Sequence, residues 1–175
     1  MPKIIENVRE RALTEAREIL TGEGYGAMTM RRVADALGIA PATIYHYFPS
    51  KEHLAAGVML EDWQRMTGEF EARQEGRTPR ETVRSLFELV RSFSALYARS
   101  WNQYGRGGEA SPIRRRYHGM LVRQLSGYVR RGLPAEQEKA EPWLPDFLAE
   151  LVLRMGADDG CQWRDMESAV DKLLG

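Results

Sequence analysis

The chain has 175 residues, of which 43% are hydrophobic and 29% are charged, a balance typical of a soluble folded protein and not of a disordered chain. Its 25 basic residues equal its 25 acidic residues, so no overall positive charge favours a nucleic-acid partner. No apolar run approaches the roughly 20 residues that cross a bilayer, so we expect no membrane segment. The only cysteine, Cys161, excludes an intrachain disulfide, and no signal peptide is evident at the N-terminus. The expected compartment is therefore the cytoplasm.

The chain shows helical periodicity almost throughout and no strand-like alternation, which predicts an all-α fold. The first predicted helix runs from about Ile4 to Thr21, with apolar residues at helical spacing on one face. Three glycines in the segment 22–26 end it, because glycine accepts left-handed backbone angles.

Two short helices are predicted next, between Thr29 and Phe48. Thr29 is a suitable N-cap, Gly38 stops the first helix, and Pro41 suits the first position of the second. The first helix places four apolar residues at i, i+3, i+4 and i+7, namely Met30, Val33, Ala34 and Leu37. In the second helix, Ile44, Tyr47 and Phe48 are expected to share the buried face, and Ala42, Tyr45 and His46 to lie opposite, with Thr43 at the flank.

Two short helices joined by a tight glycine-containing turn cross steeply and form a helix-turn-helix, whose second helix enters the major groove of DNA. Ala34 is small enough for a close crossing, and Ile39 and Ile44 are expected to fill the wedge between the helices. The local charge agrees with a DNA contact. Between Tyr25 and Lys51 there are three basic residues, Arg31, Arg32 and Lys51, and one acidic residue, Asp35.

The sequence pattern of the remaining chain predicts a helical body. Ser50 is a suitable cap for a long helix from Lys51 to about Arg73, and Thr78, Pro79 and Glu81 form a capping-box start for the next. Three further helices are predicted from Pro112 to about Arg131, from Pro145 to Met155 and from Gln162 to Leu174.

The stretch Thr29 to Leu54, in one-letter code TMRRVADALGIAPATIYHYFPSKEHL, closely resembles the DNA-binding headpiece of the TetR family of regulators, and Gly24 and Tyr25 also fit that pattern. The resemblance covers about the first third of the chain. It implies a three-helix helix-turn-helix headpiece over residues 1–49 and a helical ligand-binding and dimerisation body over residues 50–175, with a homodimer built on the last two helices.

The resemblance also implies which residues contact DNA. Phosphate contacts are expected from helix N-termini, hydroxyls and cations, and base contacts from the start of the second short helix. The expected set is Thr29, Arg31, Arg32, Pro41, Ala42, Thr43, Tyr45, His46 and Lys51. Ala40 departs from the family, which often has serine or threonine there, and alanine has no hydroxyl that could donate to a phosphate.

Aromatic and apolar side chains of the body suggest a ligand cavity and an interface. Most of these side chains are expected to form core, but tryptophan and tyrosine also suit an apolar or aromatic ligand. The expected ligand-lining residues are Trp63, Met66, Phe93, Tyr97, Trp101, Tyr104 and Tyr117. The expected dimer residues are Phe147, Leu151, Met155, Trp163, Met166, Val170 and Leu173.

The sequence therefore predicts a DNA-binding transcriptional regulator, a repressor released from a palindromic operator by a small apolar or aromatic ligand. Its partners would be double-stranded DNA, a second copy of the chain and the effector. No cofactor is expected, and His53 and His118 lack partners at metal-ligand spacing. Three alternatives stay open: a regulator whose body senses a protein or nothing, a DNA-binding protein of another kind such as a recombinase or sigma-like factor, and a helical enzyme. The enzyme is disfavoured because no nucleophile–base set or phosphate loop is evident.

Overall fold

The computed structural model describes residues 7–72, 77–100 and 112–175, apart from the side chain at position 114. Within these ranges the structure is helical and contains no strand, which confirms the all-α prediction. The elements are α1 (Val8–Gly22), a 3-10 turn (Tyr25–Ala27), α2 (Met30–Leu37), α3 (Pro41–Tyr47), α4 (Lys51–Glu71), α5 (Pro79–Leu96), α6 (Pro112–Gly132), α7 (Ala135–Ala140), α8 (Leu144–Gly156) and α9 (Trp163–Leu174). None of the described helices is long and apolar enough to cross a membrane.

The chain divides into two compact units, which are described separately. The first comprises residues 1–64 and 96–113, and the second comprises residues 65–95 and 114–175. The helix α4 contributes residues to both units, since it runs without interruption through position 64. The functional division predicted at residue 49 remains a prediction, because these units are defined by contacts alone.

The first unit is built on the packing of α1 against α2 and α3. One face of each helix is apolar, and burying these faces together gives the unit its core. The fully buried residues of this core include Leu13, Leu20, Val33, Ala34, Ile44 and Leu54.

The ends of the short helices follow from local chemistry. The Thr29 hydroxyl accepts a hydrogen bond from the Arg32 backbone N–H at 3.1 Å, so the predicted N-cap is confirmed. Gly38 ends α2 at a φ of 69°, in the left-handed region that glycine enters without steric cost. Pro41 occupies the first turn of α3, where its missing N–H costs nothing.

Residues 97–100 are held against the C-terminal end of α1 by side-chain hydrogen bonds. The Ser100 hydroxyl donates to the Leu20 carbonyl at 2.9 Å, and the Arg99 guanidinium donates to the Gly22 carbonyl. These carbonyls belong to the last turn of a helix, where carbonyls have no partner within the helix itself. The contacts therefore satisfy the end of α1 and fix the segment 97–100 against it.

A buried carboxylate lies beside this segment. Asp62 of α4 is only 4% exposed, yet it accepts hydrogen bonds from the Arg17 Nε at 3.0 Å and from the Tyr97 hydroxyl at 2.5 Å. Arg17 also donates to Glu61 at 2.9 Å. Although burial alone would lower it, the pKa of Arg17 is raised from its usual value because the two carboxylates stabilise the charged guanidinium. The network joins α1, α4 and the segment after α5.

The second unit begins with the predicted capping box. The Glu81 backbone N–H donates to the Thr78 hydroxyl at 3.3 Å, and the Glu81 carboxylate accepts from the Thr78 N–H at 2.9 Å. The Arg80 side chain donates to Glu167 and, at 2.6 Å, to Asp171, which ties the start of α5 to α9. The short helix α7 was not predicted.

The core of the second unit places α5 against α6, α8 and α9. Gly156 of α8 lies so close to Val90 of α5 that a Cβ at this position would come within 2.9 Å of the Val90 side chain. Tyr128 of α6 donates to Glu71 at 2.8 Å and meets Phe70 edge to face. The buried residues of this unit include Leu86, Phe87, Val90, Leu125, Leu144 and Leu148.

Candidate nucleic-acid interface

Most side chains of the helix α3 are exposed, and Ile44 is its buried residue. Its outer surface carries Pro41, Ala42, Tyr45 and His46, with Thr43 partly exposed beside them. Ile44 is fully buried and Phe48 is 5% exposed, which anchors the helix on the rest of the unit. A short helix fixed in this way, after a second short helix and a tight turn, has the geometry of a recognition helix.

Two arginines of α2 have different surroundings. Arg31 is 84% exposed and lies 3.7 Å from Asp35, one turn along the same helix. Arg32 donates to both carboxylate oxygens of Glu23, at 2.5 and 2.9 Å, and is further directed toward the Ala27 carbonyl. Because the Glu23 carboxylate accepts these hydrogen bonds, the pKa of Arg32 is raised. Arg31 is therefore available to a phosphate, whereas the ion pair of Arg32 with Glu23 connects α2 to the end of α1.

Tyr47 was expected in the core, and this expectation was wrong. The side chain is 44% exposed and stands edge to face against His46, with 5.4 Å between the ring centroids. The prediction extended helical spacing to Phe48, but α3 ends at Tyr47 and Phe48 has extended backbone angles. Ile44 and Phe48 therefore face the core without Tyr47. Tyr47 is exposed beside Tyr45 and His46, which the prediction did not anticipate.

Lys51 begins α4 immediately after the recognition helix. Its ammonium lies 4.1 Å from the centroid of the Tyr25 ring, over the face of the aromatic system. Partial burial lowers the pKa of Lys51 from its ordinary value. Ser50 caps the helix, accepting from the His53 backbone N–H at 3.3 Å, as predicted. Lys51 therefore stands at the start of the helix that follows α3, with its ammonium over the Tyr25 ring.

The side chains predicted to line a ligand cavity differ in their exposure. Trp63, Phe93 and Tyr97 are buried, with exposures of 5% or less, and Tyr117 is partly exposed. Trp101 and Tyr104 lie outside the described residues. Met66 lines an open cavity of about 370 Å³ in the second unit. The remaining lining residues are Glu69, Phe70, Arg77, Ser85, Glu88, Leu89 and Ser92.

The side chains predicted for a dimer interface fall into two groups. Met166 and Val170 are buried within the chain, so their apolar surface is already used by the core. Phe147 is 48% exposed and meets the 50% exposed Trp143 edge to face, with the ring centroids 5.7 Å apart. The partly exposed members are Leu151, Met155, Trp163 and Leu173. Which of these residues contact a second chain remains a prediction.

Histidines and acidic residues of the described ranges do not gather into a metal site. No group of three or more His, Cys, Asp or Glu side chains there has the arrangement to hold a metal ion. His53 is hydrogen-bonded to Ser50 at 2.8 Å, and His118 lies 3.1 Å from the carboxylate of Glu150. The His118 partner lies 32 positions away on α8, so its spacing in the sequence did not reveal it.

Comparison with known proteins agrees with this geometry. Residues 12–58 match the family model described as bacterial regulatory proteins of the tetR family. The HTH-type transcriptional regulator UidR of Escherichia coli K12 is 32% identical over 95 residues, which cover 54% of this chain and 45% of UidR. The chain therefore spans less than half the length of that relative.

Two further similarities extend over nearly the whole chain. The HTH-type transcriptional repressor KstR of Rhodococcus jostii RHA1 is 30% identical over 178 residues, covering 95% of this chain and 82% of KstR. The solved structure of Salmonella enterica GusR superposes with a TM-score of 0.63 at 20% identity and covers 98% of each chain. On the strength of the KstR similarity and the headpiece match, this chain belongs to the TetR family of bacterial regulatory proteins.

Proposed function

We propose that this chain is a transcriptional repressor that binds a palindromic operator as a homodimer and leaves it when a small apolar or aromatic molecule binds. The observation that carries the proposal is the exposed surface of α3, anchored from behind by Ile44 and Phe48. The names of UidR and KstR, a regulator and a repressor, support the same function. Its place of action would be the cytoplasm, where bacterial DNA lies.

The DNA contacts divide by chemistry. Pro41, Ala42 and Thr43 lead the recognition helix, and the methyl groups of Ala42 and Thr43 are suited to thymine methyls in the major groove. The exposed side chains of Tyr45, His46 and Tyr47 carry polar groups suited to phosphate. Such contacts set the register and the salt dependence of binding, whereas base contacts set the sequence preference.

A homodimer would place two recognition helices in successive major grooves, about 34–36 Å apart. The exposed pair Trp143 and Phe147 supports an interface at the start of α8, because large exposed aromatic side chains mark interaction surfaces. A two-fold interface uses the same patch on both subunits, so one exposed patch per chain is sufficient.

The first prediction concerns Arg31. We expect wild-type protein to select a palindromic duplex from a random library and to bind it with two chains per duplex. We expect Arg31→Ala to weaken this binding and to reduce the slope of log affinity against log salt by about 0.9 per lost phosphate contact, hence by about 2 for the dimer. Fluorescence anisotropy across a salt series, with the stoichiometry from sedimentation, measures both.

A matched control is available in the second unit. Arg84 is exposed and pairs with Glu88 one turn along α5, as Arg31 pairs with Asp35 on α2. Arg84→Ala should leave affinity and salt slope unchanged. Selection of no duplex by the wild type would contradict the proposed function, and equal slopes for all three proteins would remove Arg31 from the interface.

The second prediction concerns the effector. A ligand releases DNA only if it binds the non-DNA state more tightly. The helix α4 follows the recognition helix, and we propose that ligand binding in the body tilts it. We expect some apolar or aromatic compounds of a broad panel to dissociate the selected duplex. The variants Trp101→Ala and Tyr104→Ala should need higher compound concentrations while binding DNA normally.

Two results would change this second part of the proposal. If no compound of the panel dissociates the duplex or raises the melting temperature, the alternative of a body that senses a protein or nothing is favoured. If both variants lose DNA binding itself, these residues serve the fold and not the effector.

A further inference from the structure

Lys51 and Tyr25 are 26 positions apart, and the fold brings them into direct contact. Tyr25 opens the 3-10 turn between α1 and α2, and Lys51 is the first residue of α4. The ammonium of Lys51 stands 4.1 Å from the ring centroid, well within the roughly 6 Å range of a cation–π contact. The Tyr25 ring therefore contacts the Lys51 ammonium directly.

A ring and a carboxylate hold a cation in different ways. The Glu23 carboxylate neutralises the charge of Arg32 and accepts two hydrogen bonds from the Arg32 guanidinium. The ring of Tyr25 carries no net charge, so it attracts the ammonium without cancelling its charge. The ammonium has three N–H donors, and those directed away from the ring stay open to an oxygen of a phosphate.

We propose that Tyr25 is a positioning residue for DNA binding, whose ring face holds the Lys51 ammonium where the phosphate backbone passes the start of α4. The proposal deepens the proposed function and rests on it. A free lysine side chain has four rotatable bonds, and its ordering on binding opposes affinity. The ring orders the side chain before DNA arrives, so the phosphate contact forms at a smaller entropic cost.

The third prediction tests this role. We expect Tyr25→Leu, which replaces the ring by an apolar side chain, to bind the selected duplex roughly tenfold more weakly than wild type. Tyr25→Phe keeps the ring face and should restore affinity to within about twofold. Anisotropy titrations at one fixed salt concentration measure the three affinities, and thermal melting shows whether each variant is folded at the assay temperature.

A double-mutant cycle separates positioning from a structural role. In a Lys51→Met background the ammonium is gone, so Tyr25→Leu should cost no further affinity if the ring acts through Lys51. An equal loss in both backgrounds would overturn the inference and leave Tyr25 as a packing residue. Failure of the wild type to bind any selected duplex would instead overturn the proposed function, and the inference with it.

A measurement without DNA examines the contact itself. Protons on the Lys51 side chain beside a ring face resonate at higher field than those of a solvent-exposed lysine. We expect this ring-current shift in wild type and Tyr25→Phe, and its loss in Tyr25→Leu. A wild-type Lys51 with the shifts of an exposed lysine would overturn the inference whatever the DNA affinities.

Discussion

Replacing Arg17 by methionine is expected to lower the free energy of unfolding by about 3 kcal/mol, because it leaves the buried carboxylate of Asp62 without its cation. Asp62 is 4% exposed, and it accepts hydrogen bonds from the charged Arg17 guanidinium and from the neutral Tyr97 hydroxyl. Methionine keeps the apolar stem of arginine, so the change isolates the charge and the hydrogen bonds. Urea unfolding followed by circular dichroism measures the loss.

Two further variants test the cause of this loss. Arg11→Met changes an exposed arginine of the same helix, and we expect its unfolding midpoint to match that of wild type. The double variant Arg17→Met with Asp62→Leu removes both charges and should recover much of the stability, since the cost comes from an uncompensated charge. A double variant less stable than Arg17→Met would show that Asp62 stabilises the fold without Arg17.

Replacing Gly24 by alanine is also expected to cost about 3 kcal/mol or more, for two separate reasons. Gly24 has φ 93° and ψ 172°, a backbone conformation that is almost restricted to glycine. A Cβ built there would lie 2.9 Å from the carbonyl oxygen of Arg99, a backbone atom with little freedom to move. The variant must therefore shift the loop away from residues 97–100.

The matched control for this change is Gly22→Ala. Gly22 ends α1, and a Cβ there meets nothing within 4 Å. This variant should be as stable as wild type or slightly more stable, because alanine restricts the unfolded chain. Thermal and urea unfolding of both variants provides the comparison, and equal stabilities would show that the close approach of Gly24 to Arg99 is not maintained in solution.

The helix-turn-helix was largely predictable because its signals are local. Thr29, Gly38 and Pro41 act on the backbone within one turn of their own positions, and each is found in its predicted role. The capping box of Thr78 and Glu81 is equally local and was also predicted correctly. Hydrogen bonds within a few residues depend little on the rest of the fold, so the sequence alone specifies them.

The features that were missed depend on residues distant in the sequence. The burial of Asp62 and its hydrogen bonds could not be predicted, because its partners Arg17 and Tyr97 lie 45 and 35 positions away in the sequence. The pairing of Arg32 with Glu23 was not predicted, because Glu23 lies in the glycine-rich segment after α1, which has no helical periodicity. The DNA contact of Arg32 stays a prediction. The burial of Met166 within its own chain was not predicted, because an apolar helix face does not reveal whether its own chain or a second chain covers it.

The acidic partners of the two α2 arginines have a consequence for how the protein would search a genome. Glu23 and Asp35 offer these guanidiniums the same kind of oxygen that a DNA backbone offers. If the chain binds DNA as proposed, phosphates of any sequence would compete with Glu23 for Arg32 and only weakly with Asp35 for the exposed Arg31. The zero net charge of the chain adds no long-range attraction. Both effects would shorten residence on non-operator DNA and leave more of the protein free to find the few sites where the recognition helix fits.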